Sequence, residues 1–286
     1  MTIRNPVEVG VDLVKVTAQG VGSIGHVLHR PAAEYDATPA VVRHIDFSDL
    51  LTALRKGFED FGTYRTDVLF IGLIYPLAGL VLGQIALGND MLPLIFPLVS
   101  GFALIGPVAA IGLYEMSRRR EKGLEVTWSH ALDVLRSPSF GAILGLSLIL
   151  AAIFALWLGV AAVIYALTLG PGTPASIAGF VSDVFTTGAG WAMIILGVGA
   201  GFLFAVVVLA ISVVSFPMLL DRKVRVGTAI RTSVEVVLAN PGPMLAWGFI
   251  VASCLVVGSL PLLLGLIVAM PVLGHATWHL YRRAVG

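Results

Sequence analysis

The stretch Phe140 to Thr168, FGAILGLSLILAAIFALWLGVAAVIYALT, runs for 29 residues without a charge, and Gly190 to Met218 repeats that character. A helix needs about 20 apolar residues to cross the hydrocarbon core of a bilayer. Each of these stretches is long enough. Residues 137–220 carry a single charged side chain, Asp183, so this half of the chain is built for lipid rather than for water.

The rest of the composition agrees. Of 286 residues, 57% are hydrophobic and 12% charged, and the mean hydropathy is +0.94; soluble domains carry roughly 25% charged residues. With the two long runs as anchors, spans are expected near 68–87, 92–115, 140–168, 190–218, 243–259 and 261–281. Pro261, close after Gly258, predicts a tight turn between the last two; one long broken helix, giving five spans, is the alternative. Residues 1–45 contain Pro6, Pro31 and Pro39 and read as a cytoplasmic tail with one short helix near 7–18, and 46–286 as the transmembrane domain. The expected fold class is all-α and polytopic.

Charge gives the sidedness. All 18 Lys and Arg residues fall before the first span, in the loops after the second and fourth spans, or at Arg282 and Arg283. Cationic residues near span ends stay on the cytoplasmic side. Six spans place all of them there, together with both termini. The far-side loop 170–188 has room for a surface helix around 175–185.

Three cytoplasmic segments look alike. In 46–61, Phe47, Leu50, Leu51, Leu54, Phe58 and Phe61 recur every three or four residues, the spacing of one helix face, with Arg55, Lys56, Glu59 and Asp60 on the other. Such a helix is expected to lie in the headgroup plane. Segments 124–137 and 224–239 resemble it, and Ser137-Pro138 and Asn240-Pro241 end them, because proline cannot continue a helix. The chain thus reads as three units of surface helix plus hairpin. A sharper echo joins the second and sixth spans: Pro107, Tyr114, Arg118 and Arg119 stand at the same offsets as Pro271, Trp278, Arg282 and Arg283. Each aromatic is expected to act as an interfacial anchor.

The motifs His44-Ile45-Asp46, Leu54-Arg55-Lys56-Gly57-Phe58-Glu59-Asp60, Tyr75-Pro76-Leu77-Ala78-Gly79 and the whole of Gly101 to Gly123 resemble the DUF2189 family of bacterial integral membrane proteins, from about residue 42 to the C-terminus. The resemblance implies several membrane helices and a bacterial inner membrane, and no activity. Members of that family often carry the label cytochrome c oxidase subunit I. The residues argue against that label, since a haem–copper centre needs several imidazoles inside the bilayer. Only His275 and His279 lie in a span.

Few polar residues stand out. His275 and His279 are one turn apart, a spacing that serves packing, a metal or a proton relay. Glu115 can pair with Arg118 and Arg119. Gln84 is an amide inside the first span, suited to a helix-to-helix hydrogen bond. Arg118, Arg119, Arg120, Lys122, Arg222, Lys223, Arg225, Arg282 and Arg283 are expected at lipid headgroups. The lone Cys254 supports neither a disulfide nor a thiolate metal site. No catalytic constellation, metal motif or cofactor motif is present, and no nucleic-acid surface. The expected partners are the bilayer and other membrane proteins or copies of the chain. The leading expectation is a non-enzymatic accessory, assembly or scaffold protein, with a transporter or channel second and an intramembrane enzyme third.

Overall fold

The structure, a computed structural model, describes residues 40–63, the positions 73, 76, 77, 79–81 and 84, then 92–98, 106–108 and 110–286 apart from 173 and 175. The expected tail helix at 7–18, most of the first span and the middle of the second lie outside the described residues.

Nine α-helices are described: α1 (Phe47–Thr63), α2 (Ile111–Glu121), α3 (Phe140–Thr168), α4 (Ile177–Thr186), α5 (Gly188–Ser212), α6 (Ser215–Asp221), α7 (Val226–Ala239), α8 (Pro241–Ser259) and α9 (Leu266–Ala284). Three apolar helical stretches are long enough to cross a bilayer: Phe140–Thr168, Gly188–Asp221 and Pro241–Ser259. Of the most apolar window in Gly188–Asp221, only 6% is buried inside the protein. On α3, Leu156 and Leu167 are 62% and 80% exposed. Lipid or another apolar partner is what can cover an apolar surface of this kind.

Local chemistry sets the helix ends. α3 stops at Gly170, whose φ of +94° is open to glycine and strained for other residues. The side chains of Ser176 and Thr187 accept from the backbone N–H groups of Gly179 and Gly190, capping α4 and α5. α4 falls where a short helix was expected, around 175–185. Asn240 ends α7 and Pro241 opens α8 in its first turn, where a missing N–H costs nothing. Pro217 interrupts the fourth run: its ring crowds the carbonyl of Val213, and the helix breaks between α5 and α6. Ser233 of α7 accepts from the freed N–H of Val214 at 3.4 Å.

α8 and α9 are separate helices. A turn over 260–265, with positive φ at Leu262 and Leu263, brings Gly258 against Gly265. The 124–137 segment departs from expectation, being a 3-10 helix over Trp128–Arg136. Ala131 of this segment is pressed against Gly112 of α2.

The first described helix is held tightly against the last. α1 packs along α9 through Leu50, Ala53, Gly57 and Asp60. A Cβ at Gly57 would stand 2.7 Å from the Val272 carbonyl oxygen and 2.8 Å from the Ala276 Cβ. Phe47, Leu51 and Phe58 remain exposed, so the apolar stripe of this helix is divided between α9 and the surroundings. Asp60 sits on the packed side, not on the solvated face expected from its neighbours Arg55, Lys56 and Glu59.

The echo between the second and sixth spans also has a structural counterpart. Ala110 and Gly274, both three residues beyond their prolines, face each other where α2 meets α9. Tyr114 and Trp278 are 2% and 1% exposed. They are core residues rather than interfacial anchors, because the two helices that carry them pack on each other.

Candidate functional site

Because Gly57 lets α1 close onto α9, the next residue on that side, Asp60, is delivered into the contact. Asp60 is 3% exposed. One oxygen, Oδ2, accepts from Ser117 Oγ at 2.5 Å and from His279 Nε2 at 2.9 Å. The other, Oδ1, accepts from the Arg120 guanidinium. Ser117 Oγ lies 2.7 Å from Nδ1 of His275. Three helices thus meet at one carboxylate: α1 supplies Asp60, α2 supplies Ser117 and Arg120, and α9 supplies both histidines.

The proton positions follow from donor and acceptor counts. Ionised Asp60 can only accept, so Ser117 donates to it and has only a lone pair left for His275. His275 must then carry its proton on Nδ1 and His279 on Nε2. That leaves Nε2 of His275, a fully buried side chain, without a hydrogen-bond partner among the described residues. Burial pushes the Asp60 carboxyl up. The hydrogen bonds from His279 and Ser117, with the electrostatic pull of the His275 and His279 rings, outweigh burial and hold the group below its ordinary 3.8.

Asp, Ser and His side by side suggest a hydrolase, but the order is wrong for one. A nucleophilic serine gives its proton to histidine, and the carboxylate orients that histidine from behind. Here serine stands between carboxylate and imidazole, and it is 1% exposed. The arrangement can lock helices or pass a proton; it cannot present a nucleophile.

Around this centre, ion pairs continue. Glu115, 3% exposed, accepts from Arg118 at 2.8 and 3.0 Å, with Arg119 at 3.7 Å. Arg119 also reaches Asp133 at 3.2 Å. Glu121 accepts from the Trp278 indole and from Arg282, both at 3.0 Å. Asp221 accepts from Tyr281 at 3.0 Å and Arg282 at 3.4 Å, and Arg283 lies 3.4 Å from Asp49. Arg222 donates to the Gly286 carbonyl at 2.5 Å. Many of the cations expected at headgroups therefore have partners inside the protein, while Lys122 is exposed. A cleft of about 390 Å³ opens over the cluster, walled by Lys56 and Glu59 of α1, Arg120 and Glu121 of α2, and His279 and Arg282 of α9.

The structure brings His275 and His279 together with two residues that the sequence did not single out, Asp60 and Ser117. Asp60 had a signal, since Leu50, Ala53, Gly57 and Asp60 share one helical side. Ser117 had none. Gln84 lies apart from the site. Its side chain is exposed. No group of three or more His, Cys, Asp and Glu able to hold a metal occurs among the described residues.

Long helices with bare apolar flanks, joined to a cluster of charges at one end, define an integral membrane protein of the α-helical class. Residues 95–221 match the DUF2189 family model, described as a predicted integral membrane protein. The resemblance read from Gly101 to Gly123 falls inside that match, whereas the motifs read between His44 and Gly79, Asp60 among them, and His275 and His279 fall outside it. No curated protein and no solved structure matches the chain.

Proposed function

We propose that this is a non-enzymatic protein of the bacterial inner membrane, an accessory, assembly or scaffold factor that holds a rigid platform against the cytoplasmic face. It crosses the membrane six times in three hairpins, with both termini cytoplasmic. The observation that carries this reading is the convergence of α1, α2 and α9 on buried Asp60. Such a joint turns a peripheral amphipathic helix into a fixed part of the membrane domain, which suits a docking platform. The wiring of Ser117 argues against an enzyme. Pull-down in mild detergent should recover other membrane proteins or copies of the chain, and loss of the gene should reduce a membrane complex. Recovery of this polypeptide alone, with all complexes intact in the null strain, would contradict the reading.

A second reading, a transporter or channel that handles protons, is favoured by the unpartnered Nε2 of His275 at the inner end of the chain His279–Asp60–Ser117–His275. Buried ionisable groups in membrane proteins are functional by default. Proteoliposomes loaded with a pH dye should then acidify faster than empty ones, and His275→Ala should remove the difference.

A further inference from the structure

The second cavity of the molecule is unlike the charged cleft. It lies between α2, α5, α8 and α9 and has a volume of about 430 Å³, within the roughly 300–1,000 Å³ usual for ligand sites. Its walls are almost wholly apolar: Phe202 and Leu209 of α5, Val251 and Leu255 of α8, Met270 and Leu273 of α9. Small residues, Gly248 and Ala252 among them, give it depth.

Its hydroxyl groups are not scattered. Tyr114, Ser212 and Thr277 lie at one end, the end from which α2, α6 and α9 run on to Arg118, Asp221 and Arg282. The opposite end, at Phe202, Leu255 and Met270, has no polar side chain among the described residues. Along α5 the wall runs from Phe202 to Ser212, ten residues, or about 15 Å at the helical rise. That is half of a hydrocarbon core about 30 Å thick, the depth of one leaflet.

We propose that this slot is a binding site for one aliphatic chain of a phospholipid in the cytoplasmic leaflet, its glycerol end beside Tyr114, Ser212 and Thr277 and its methyl end toward Phe202 and Met270. Length, apolar lining and polarity at a single end together fit that ligand and no compact solute. Ser212 and Thr277 spend their hydroxyl protons on the carbonyls of Val208 and Leu273, so they offer the ligand no donor of their own. Affinity comes from the apolar walls.

The test uses the full chain in vesicles of phosphatidylethanolamine and phosphatidylglycerol, doped with phospholipid bearing a diazirine on its terminal chain carbon. After irradiation, adducts are mapped by mass spectrometry. The expected result is labelling at Leu255 and Met270 that survives dilution into detergent, whereas labelling at Leu156, on the outer face of α3, does not. Ala252→Phe and, separately, Val206→Phe should each lower slot labelling about tenfold, the effect of a single lost filling contact, with Leu156 labelling unchanged before dilution. Slot labelling no more persistent than that at Leu156 in the unmutated protein would overturn the proposal, as would slot labelling unchanged in both variants. So would equal labelling of Leu255 by a diazirine placed beside the headgroup, since the chain would then not lie in the stated direction.

Discussion

Asp60 and His279 meet at 2.9 Å although 219 residues separate them in the chain. The contact ties the first described helix to the last. Arg120 and Ser117 take the remaining sides of the carboxylate, and the charges at this end of the molecule are grouped around it.

Loss of that carboxylate should be costly. Removing one partner of a buried pair typically destabilises by about 3–5 kcal/mol, because the remaining charge is left uncompensated. Asp60→Ala is expected to lower the thermal midpoint of the detergent-solubilised protein by many degrees, and Asp60→Asn to do so by less. The neighbouring Glu59→Gln, on an exposed side chain, should stay within about 0.5 kcal/mol. Equal midpoints for Asp60→Ala and Glu59→Gln would show that the joint contributes nothing.

The same group sets an acid limit. Its folded pKa lies below the unfolded 3.8, so the unfolded chain binds more protons in that range and stability rises with pH. The contribution of Asp60 is complete above the ordinary carboxyl value and is lost as pH falls through the depressed one. Thermal midpoints measured downward from pH 6 should therefore drop more steeply below about pH 4 in the unmutated protein than in Asp60→Asn. Parallel profiles would contradict this.

Gly57 is the reason α1 can come so close to α9. Gly57→Val places atoms where the Val272 carbonyl and Ala276 already stand, so α1 must lift. Trypsin should then cut at Arg55 and Lys56 much faster than in the unmutated protein. Gly62→Ala, with open space around it, should leave the cutting rate unchanged.

Asn240 fastens the segment before α1. Its amide accepts from the N–H of Ile45 at 2.9 Å and donates to the Arg43 carbonyl at 3.1 Å. In Asn240→Ala the Ile45 amide is left without its acceptor, at a cost of about 1–3 kcal/mol. Hydrogen exchange at Ile45 should accelerate by one to two orders of magnitude, which follows from that cost; unchanged exchange at Ile45 would show that Asn240 does not fasten it.

Much of this was legible in the sequence. Uncharged runs marked the long helices, and Asn240-Pro241 marked the joint between α7 and α8, because these features act locally. His275 and His279 drew attention by their spacing. Their partner did not, since Asp60 stands beside Arg55, Lys56 and Glu59, and only the α1–α9 contact, made at Gly57, turns it inward. A glycine announces that something comes close but not which helix it will be. Tyr114 and Trp278 misled for a similar reason. Aromatics beside arginines ordinarily sit at the interface, and here the two helices bury them against each other.

If the proposed topology holds, α1 and the charges around Asp60 lie on one side of a bilayer, opposite the loop that carries α4. Single cysteines at Lys56 and at Gly172, each in a Cys254→Ser background, test it with a membrane-impermeant maleimide. Gly172→Cys is expected to be labelled in intact spheroplasts and Lys56→Cys only in inverted vesicles. Labelling of both positions from the same side would contradict it.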